Sequence, residues 1–497
     1  MFIILLSLLF LIIILWFNTK WNKLKRHWAD RNVPHCKPHP ILGSLNFLLI
    51  ENPGLFMKRL YNNFRSPYVG IWLFWRPGLV VNSPEIAQKI LVKDTNVFKN
   101  RFLSCGKKDP TACNIFTVNN PLWTNIRKRL TPSFTSAKLR SFQNMMRTKS
   151  DNLKHRIQEE LKNRRNIDLR NLFSDYTTDV IGETTLGLQC DATMTGRSAL
   201  RDVTEGFQRY DIFRGLSFIS IFFWPELCDT FGFTFFPKNA TDSLAVLFKE
   251  LVKRRGGYEQ ENLEHHDILD ALIKIKREAL KEGEDIDEEV LIAQAAILVQ
   301  GGFDTTAAIL TYTIYEIAHQ LPLQERLYNE LKDAKDAIDG GDLIANHLSE
   351  LLNAVINETL RKYPQMGWLD RIAEQDYQID ENLTIKKGTV VYVNALGMHY
   401  DPDYFPDPDT FDPERFLPGI VENIKPYTFM PFGEGPRVCI GKRFAYQTMK
   451  FALSSVLLDF EVKPIPGAPK PHEIRIERRS MFLVPNDVMS VQFVPRF

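Results

Sequence analysis

The chain has 497 residues, of which 44% are hydrophobic and 25% charged, so it can bury a large core and is neither disordered nor fibrous. Its 62 lysines and arginines nearly balance its 60 aspartates and glutamates, which argues against a nucleic-acid partner. The six cysteines are scattered without a CxxC pair, which excludes a disulfide framework and a zinc knuckle and predicts reduced thiols.

The first predicted element is an apolar helix at the amino terminus. Residues 1–17 are apolar apart from Ser7, and this length falls at the short end of the roughly 17 to 25 residues that span a bilayer. A cleaved signal peptide is the alternative, but no basic residues precede the run and no small-residue cleavage site follows it. Lysines and arginines follow immediately, which by the positive-inside rule predicts a membrane anchor at residues 1–18 with the remaining chain in the cytosol.

The rest of the chain is predicted to form a single domain. Residues 19–44 are basic and rich in proline and are predicted to be a linker, and no repeat or low-complexity segment divides residues 45–497. Helical periodicity dominates that domain, with β-type runs at residues 71–81, at 377–393 and in the last twenty residues. The predicted fold class is mainly α with small β-sheets.

Residues 212–236 contain eight phenylalanines and one tryptophan, and few polar residues separate them. Such a segment fits three structures: ordinary core, a surface that dips into a membrane, or a substrate entrance. The sequence leaves the three open.

Residues 288–320 are apolar nearly all round, which predicts a central helix about 50 Å long. Its middle reads Gly301-Gly302-Phe303-Asp304-Thr305-Thr306, with two glycines, an acid and two hydroxyls where a buried helix favours none of them. Glycines let a bulky group approach the backbone, and a threonine hydroxyl that competes for a carbonyl opens a groove. The alternative is close packing of helices through small residues.

Two further motifs suggest a buried ion network and a special cysteine. Glu358 and Arg361 are one helical turn apart, and Arg415 follows in an ordered, proline-rich segment. Cys439 lies among glycines just before a predicted helix at residues 444–458, where the helix dipole is expected to lower the pKa of a thiol. Such a sulfur suits a nucleophile or a metal ligand, and a lone thiolate without zinc co-ligands suits axial ligation of haem iron.

These motifs resemble those of microsomal cytochromes P450, most closely the insect family-6 detoxification branch, and the resemblance covers nearly the whole chain. Phe432, Gly435, Arg437, Cys439 and Gly441 match the haem-binding pattern FxxGxRxCxG of that family, which is highly specific. The resemblance implies a cytochrome P450 fold, haem b as cofactor and Cys439 as the iron ligand.

The resemblance also implies roles for other residues. Trp123, Arg127 and Arg437 match haem-propionate partners, Arg371 is similar in placement to a further one, and Phe432 and Gly441 belong to the cofactor site. Asp304 and Thr305 match the acid and threonine that relay protons in oxygen activation, and Glu358, Arg361 and Arg415 match the family's structural triad. The side chains expected near the substrate are Phe102, Ile115, Phe116, Phe303, Met366 and Phe482. The sequence departs from the family at Gln365, where a second proline is usual.

The resemblance implies a monooxygenase that hydroxylates or epoxidises lipophilic xenobiotics or endogenous terpenoids and steroids at the endoplasmic reticulum membrane, with the catalytic domain on the cytosolic face. No flavin or dinucleotide motif is visible, so electrons are expected from NADPH through NADPH-cytochrome P450 reductase, with cytochrome b5 as a further candidate donor. The expected docking face is basic and includes Arg127, Lys128, Arg129, Lys138, Arg140, Lys442 and Arg443. A haem-thiolate isomerase and a haem-binding sensor are the alternative functions.

Overall fold

The computed structural model describes residues 2–163, 166–261, 267–335 and 350–496. Its α-helices are α1 Phe2–Arg26, α2 Pro53–Phe64, α3 Pro84–Gln88, α4 Leu122–Leu130, α5 Ser136–Ser141, α6 Gln143–Lys162, α7 Leu169–Leu186, α8 Ala192–Thr195, α9 Ala199–Phe207, α10 Ile212–Phe223, α11 Glu226–Phe231, α12 Lys238–Arg254, α13 Ile268–Lys281, α14 Glu288–Ala318, α15 Leu321–Asp333, α16 Glu350–Lys362, α17 Ala395–His399 and α18 Lys442–Asp459. The strands are β1 Tyr68–Leu73, β2 Arg76–Val81, β3 Leu369–Ile372, β4 Tyr377–Gln378, β5 Thr384–Ile385, β6 Val390–Val393, β7 Phe460–Pro464 and β8 Val491–Pro495. The predicted fold class, mainly α with small sheets, is confirmed.

Two helices are long and apolar enough to cross a membrane, but their surroundings differ. The apolar window of α14 is 78% buried in protein, whereas none of the window near the amino terminus is buried. Helix α14 is therefore a core helix and α1 is the candidate membrane span. The end of the apolar run of α1 contacts the domain, since the Trp16 and Phe17 rings lie 6.2 Å and 5.1 Å from the Trp75 ring.

The largest sheet has four strands in the order β1-β2-β6-β3. Strands β1 and β2 form an antiparallel hairpin, β6 joins β2 in parallel, and β3 pairs antiparallel with β6. The side chains of β6 are all buried, as expected for an inner strand covered on both faces. Strand β3 forms one edge of this sheet and places Asp370 and Arg371 beside a cavity that also borders α14.

Helix α14 runs through the centre of the core, and the helix it packs against most extensively is α7. Asp287 caps its first turn by accepting a hydrogen bond from the Glu289 amide. A β-carbon on Gly302 would lie 2.3 Å from the Ile181 side chain of α7, so this glycine permits close helix packing. Beyond the adjacent backbone of its own helix, no atom of the described residues lies within 4 Å of a β-carbon on Gly301. Each of the two predicted roles therefore applies to one glycine. Gly302 permits close helix packing, and Gly301 leaves space for a bulky group to approach the backbone.

The predicted ion network is buried against the carboxyl-terminal half of the domain. The Arg361 guanidinium makes two hydrogen bonds of 2.7 Å to the Glu358 carboxylate, and both side chains are fully buried. Arg361 also donates to the His399 carbonyl at 2.9 Å, and Arg415 Nε lies 3.7 Å from Glu358 Oε1. The network therefore joins α16 to the end of α17 and to the turn at residues 413–416, and it brings the three predicted residues together.

Candidate active site

A large cavity lies between α14, α4, strand β3 and the loop before α18. Cys439 lines this cavity together with Thr305 of α14 and Arg371 of β3. These three residues are far apart in the sequence, and only the fold brings them to the same cavity. In the part of the chain that the structure describes, no group of three or more histidines, cysteines or acids could hold a metal ion.

Cys439 sits three residues before the first residue of α18, as predicted from the sequence. The surface it exposes is surface of the cavity, and protein atoms surround its sulfur on the other sides. Burial raises the pKa of the thiol above its ordinary value and outweighs the Gly441 amide and the Arg127 and Arg101 charges, which lower it. The Gly441 amide at the helix start does lower this pKa, as expected, but the net shift is upward because desolvation of the thiolate is the larger effect.

Glycines shape the loop that carries this cysteine. Gly433 and Gly435 have φ of 73° and 75°, a left-handed conformation that strains other residues. A β-carbon on Gly435 would also lie 1.9 Å from the Leu91 carbonyl oxygen, so no other residue fits there. At Gly441 a β-carbon would lie 4.0 Å from the Cys439 sulfur. The glycines thus let the loop pack against its neighbour and leave the space beside the sulfur open.

Four arginines line the same cavity: Arg101, Arg127, Arg371 and Arg437. Burial lowers the pKa of all four, to about 10 for Arg371 and about 9 for Arg437. Repulsion by Arg101 further lowers the pKa of Arg127, Arg371 and Arg437. The lining contains only two carboxylates, Asp370 and Glu434, so four positive charges less two negative ones leave an excess of two. An anionic group bound among these guanidinium groups would relieve their repulsion.

Arg437 is held in place by the segment between Lys99 and Trp123. Its guanidinium donates to the Lys99 and Val118 carbonyls at 3.2 Å and 3.0 Å and to the Asn119 side chain at 3.2 Å. The guanidinium carbon also lies 4.2 Å from the centre of the Trp123 ring. Helix α4, which carries Trp123 and Arg127, and the cysteine loop are therefore in direct contact. Phe432, beside this loop, also lines the cavity.

Thr305 and Asp304 lie on different sides of α14. Thr305 lines the cavity, and its hydroxyl donates to the Gly301 carbonyl at 2.7 Å, which is the hydroxyl-to-carbonyl contact that the sequence suggested. Asp304 is buried and does not line the cavity. Its carboxylate accepts from Gln208 at 2.9 Å and from Arg170 at 3.3 Å, and it lies 3.3 Å from Gln300 Nε2. Of these partners only Gln300 lines the cavity.

Four of the six side chains expected near the substrate line the cavity, namely Ile115, Phe116, Met366 and Phe482. Phe303 does not, because its position on α14 turns it into the core, where its carbonyl accepts from Thr177 of α7 at 3.0 Å. Phe102 does not line it either, because its backbone amide is held by Asp370 and its ring lies 5.1 Å from the Arg76 guanidinium.

Sequence reasoning missed the lining residues Arg101 and Ile297. Phe235 belongs to the phenylalanine-rich segment, so part of that segment does form cavity wall. Its ring also lies 5.8 Å from the Phe116 ring. Ile297 is one turn before Gly301 on α14, and helical spacing could have identified it. Arg101 lies outside any motif, and no sequence signal pointed to it.

Comparison with known proteins agrees with this site. The family model for cytochrome P450 matches residues 33–493. The chain belongs to the cytochrome P450 family. Cytochrome P450 6k1 of Blattella germanica is 31% identical to this P450 over 491 residues, which cover 94% of this chain and 93% of the relative. Cytochrome P450 6l1 of the same insect is 30% identical and covers 95% and 93% of the two chains. Probable cytochrome P450 6g2 of Drosophila melanogaster is 30% identical and covers 92% of each.

Family membership makes this P450 a monooxygenase and implies a haem bound through a cysteine thiolate. The cavity residues fit that group. Cys439 is the one cysteine among the lining residues, and the excess of two positive charges matches the two propionates of haem. The open space beside Gly301 and Gly441 leaves room for a flat macrocycle between α14 and the cysteine loop.

Proposed function

We propose that this P450 is a membrane-anchored monooxygenase that hydroxylates or epoxidises lipophilic small molecules, either xenobiotics or endogenous terpenoids and steroids. The observation that supports it most directly is the meeting of Cys439, Thr305 and an arginine cluster at one largely apolar cavity. In this proposal Cys439 binds the iron of haem b, and the bound haem supplies the activation of dioxygen.

The arginine cluster holds the propionates in this proposal. Arg127, Arg371 and Arg437 take the role that the sequence suggested, and Arg101 joins them because it lines the same wall. Trp123 keeps Arg437 in position through the contact of its ring with the guanidinium. The surrounding protein excludes water, so these charge-assisted hydrogen bonds are stronger than at a surface.

Thr305 and Asp304 handle protons in this proposal. Thr305 lies at the cavity surface, where its hydroxyl can bind a water molecule while it donates to the Gly301 carbonyl. Asp304 lies behind that surface, and its contact to Gln300 connects it to the cavity wall. Asp304 therefore acts from outside the cavity, as a proton source reached through neighbouring polar groups.

The apolar side chains that line the cavity support the proposal of a lipophilic substrate. Ile115, Phe116, Met366 and Phe482 line the cavity, so most of a bound molecule would contact hydrocarbon or aromatic groups. The exposed apolar residues Ile212 and Phe213 begin α10, and they belong to the same phenylalanine-rich segment as Phe235 in the cavity wall. This arrangement supports uptake of substrate from a membrane, with helix α1 as anchor at the endoplasmic reticulum and the domain in the cytosol.

The electron donor in this proposal is NADPH-cytochrome P450 reductase. Of the basic residues expected at the docking face, Arg127 lines the cavity and Arg129 pairs with Glu282 at 3.2 Å. Lys128, Arg140, Lys442 and Arg443 are exposed. Arg443 donates to Ser136 at 3.0 Å, so the starts of α18 and α5 share one surface. A basic surface of this kind suits an acidic flavoprotein domain.

The first test of the proposal is the carbon monoxide difference spectrum of the dithionite-reduced, haem-loaded protein. Thiolate ligation by Cys439 gives a strongly red-shifted Soret band, and Cys439→His loses that band while it retains a nitrogen ligand for iron. Reconstitution with reductase and NADPH then gives oxygenated products of a lipophilic substrate. Absence of the band in folded, haem-loaded protein would refute the ligand assignment, and oxygenation independent of NADPH would refute the electron route.

A further inference from the structure

Three buried polar atoms at the cavity wall lack a hydrogen-bond partner among the described residues: Gln300 Oε1, Gln365 Oε1 and Trp368 Nε1. All three residues line the cavity, and each is at least nine-tenths buried, with exposed fractions of 6%, 8% and 0%. An unpaired buried donor or acceptor is costly and rare in folded proteins. The other side chains expected near the substrate are apolar, so the presence of three unpaired polar atoms needs an explanation.

The partners of the two glutamines determine which of their atoms remains free. Gln300 Nε2 lies 3.3 Å from the Asp304 carboxylate, and Gln365 Nε2 lies 3.4 Å from the Tyr363 carbonyl. Both partners are acceptors, so the amide NH2 must point to them in each case. The unpaired atom is then a carbonyl oxygen at both sites, which can only accept a hydrogen bond.

Trp368 complements the glutamines with a donor. Its indole N–H has no acceptor among the described residues, and its ring is packed 6.2 Å from Phe222 and 6.0 Å from Phe223. The indole is therefore held rigidly by aromatic neighbours. Gln365 and Trp368 are three residues apart on the segment that leads from α16 to β3, and Gln300 lies on α14. The wall thus contains acceptors on two elements and one fixed donor.

We propose that this cavity takes a lipophilic substrate that carries a hydroxyl or N–H group, and that Gln300 and Gln365 accept its hydrogen bond. Because all three residues line the cavity, a molecule bound there is the partner that we assign to these atoms. Trp368 donates to the oxygen of the same substrate class. The inference rests on the proposed function, since it names the substrate class of the same cavity. It also assigns a role to Gln365, the residue that departs from the usual proline.

The test uses three ligands with one carbon skeleton: p-menthane, menthol and menthone. Menthol can donate and accept a hydrogen bond, menthone can only accept, and p-menthane can do neither. Dissociation constants are measured with full-length, haem-loaded protein by the spectral shift of the haem and by equilibrium dialysis, which does not depend on the haem. The variants are Gln300→Met and Gln365→Met, which keep side-chain length and remove the acceptor, and Trp368→Phe, which removes the indole N–H.

We expect at least one glutamine variant to weaken menthol binding by about 3- to 10-fold, the range for a single hydrogen bond, and to leave menthone and p-menthane within about 2-fold. Trp368→Phe weakens menthol and menthone and spares p-menthane. Ile297→Val, an apolar change one turn before Gln300, alters all three ligands alike. The carbon monoxide spectrum verifies the fold of each variant, and Gln300→Leu and Gln365→Leu replace any variant that fails this check.

The inference is overturned if neither glutamine variant reduces menthol binding more than menthone binding. Binding of all three ligands without any polar preference would overturn it while leaving the proposed function intact. If none of the ligands binds to protein with the thiolate spectrum, the lipophilic substrate of the proposed function fails along with the inference.

Discussion

The Arg437 guanidinium lies over the indole ring of Trp123, 4.2 Å from the ring centre, although the two residues belong to motifs more than 300 positions apart. Arg437 is also fixed by three carbonyl acceptors between Lys99 and Asn119. A cation close to an aromatic face is attracted to it, most strongly for tryptophan. In the proposed function, Trp123 therefore positions a charge that pairs with a haem propionate.

We expect Trp123→Leu to weaken haem retention, because it removes an attraction of about 1 kcal/mol that holds the guanidinium in place. Trp123→Phe keeps an aromatic face and should lose only part of the effect. The rate of haem transfer to excess apomyoglobin measures retention, with the amount of haem per protein as a check. Equal transfer rates for the leucine and phenylalanine variants would show that the ring face does not matter.

The buried Glu358–Arg361 pair leads to a second prediction, on stability. Glu358→Gln leaves the fully buried Arg361 charge without a counter-ion, which typically costs about 3–5 kcal/mol. The variant should therefore unfold at a lower urea concentration and accumulate poorly with haem. The matched control is Glu414→Gln, which breaks an exposed pair with Arg326 and should cost at most about 1 kcal/mol. Equal losses in the two variants would contradict the buried network.

His399 should make stability depend on pH. Its ring is buried, with Nε2 accepting from the Met430 amide at 2.9 Å and Nδ1 3.1 Å from the Arg361 carbonyl, so Nδ1 carries the proton. Burial lowers the pKa of His399 from 6.5 to about 3. Below pH 6.5 the unfolded chain therefore binds a proton that the folded chain does not, and stability falls as pH falls through that window.

We expect His399→Gln, which offers an amide donor and a carbonyl acceptor but does not titrate, to remove this contribution. The free energy of unfolding from urea titrations, plotted against pH between 6 and 4, should fall less steeply in the variant, by about 1.4 kcal/mol per pH unit. The intrinsic stability of the variant at pH 7.5 serves as its own reference. Parallel pH profiles for both proteins would assign the acid sensitivity to other groups.

The proposed reductase surface leads to a prediction on electron transfer. Lys128→Glu and Arg140→Glu reverse exposed charges near α4 and α5 without touching the cavity lining. Each should raise the apparent KM for reductase about 3- to 10-fold, and the effect should shrink at high salt because screening weakens surface attraction. The carbon monoxide spectrum should remain unchanged.

Lys253→Glu is the matched control for those charge reversals, because it alters an exposed lysine on α12, outside the basic surface. It should leave the KM for reductase unchanged. A similar loss in the control and in the two docking variants would mean that net charge, and not this surface, determines the interaction.

Several features were readable from local sequence because they depend on local physics. Hydrophobic period identified α14 and α18, the apolar run identified α1, and glycine spacing marked the loop around Cys439. The helical class with small sheets followed from the same periodicity. Motif resemblance added Arg127, Arg371 and Arg437 of the cavity and the three residues of the ion network, and the structure brings each set together.

Tertiary structure decided what depends on direction and neighbours. Sequence placed Phe303, Asp304 and Thr305 in one motif, yet a helix turns consecutive residues by about 100°, so only Thr305 faces the cavity. Burial reversed the expected shift in the pKa of Cys439, since desolvation depends on how much protein surrounds the sulfur. Arg101 and the unpaired polar atoms of Gln300, Gln365 and Trp368 became visible only once distant segments were packed around the same space.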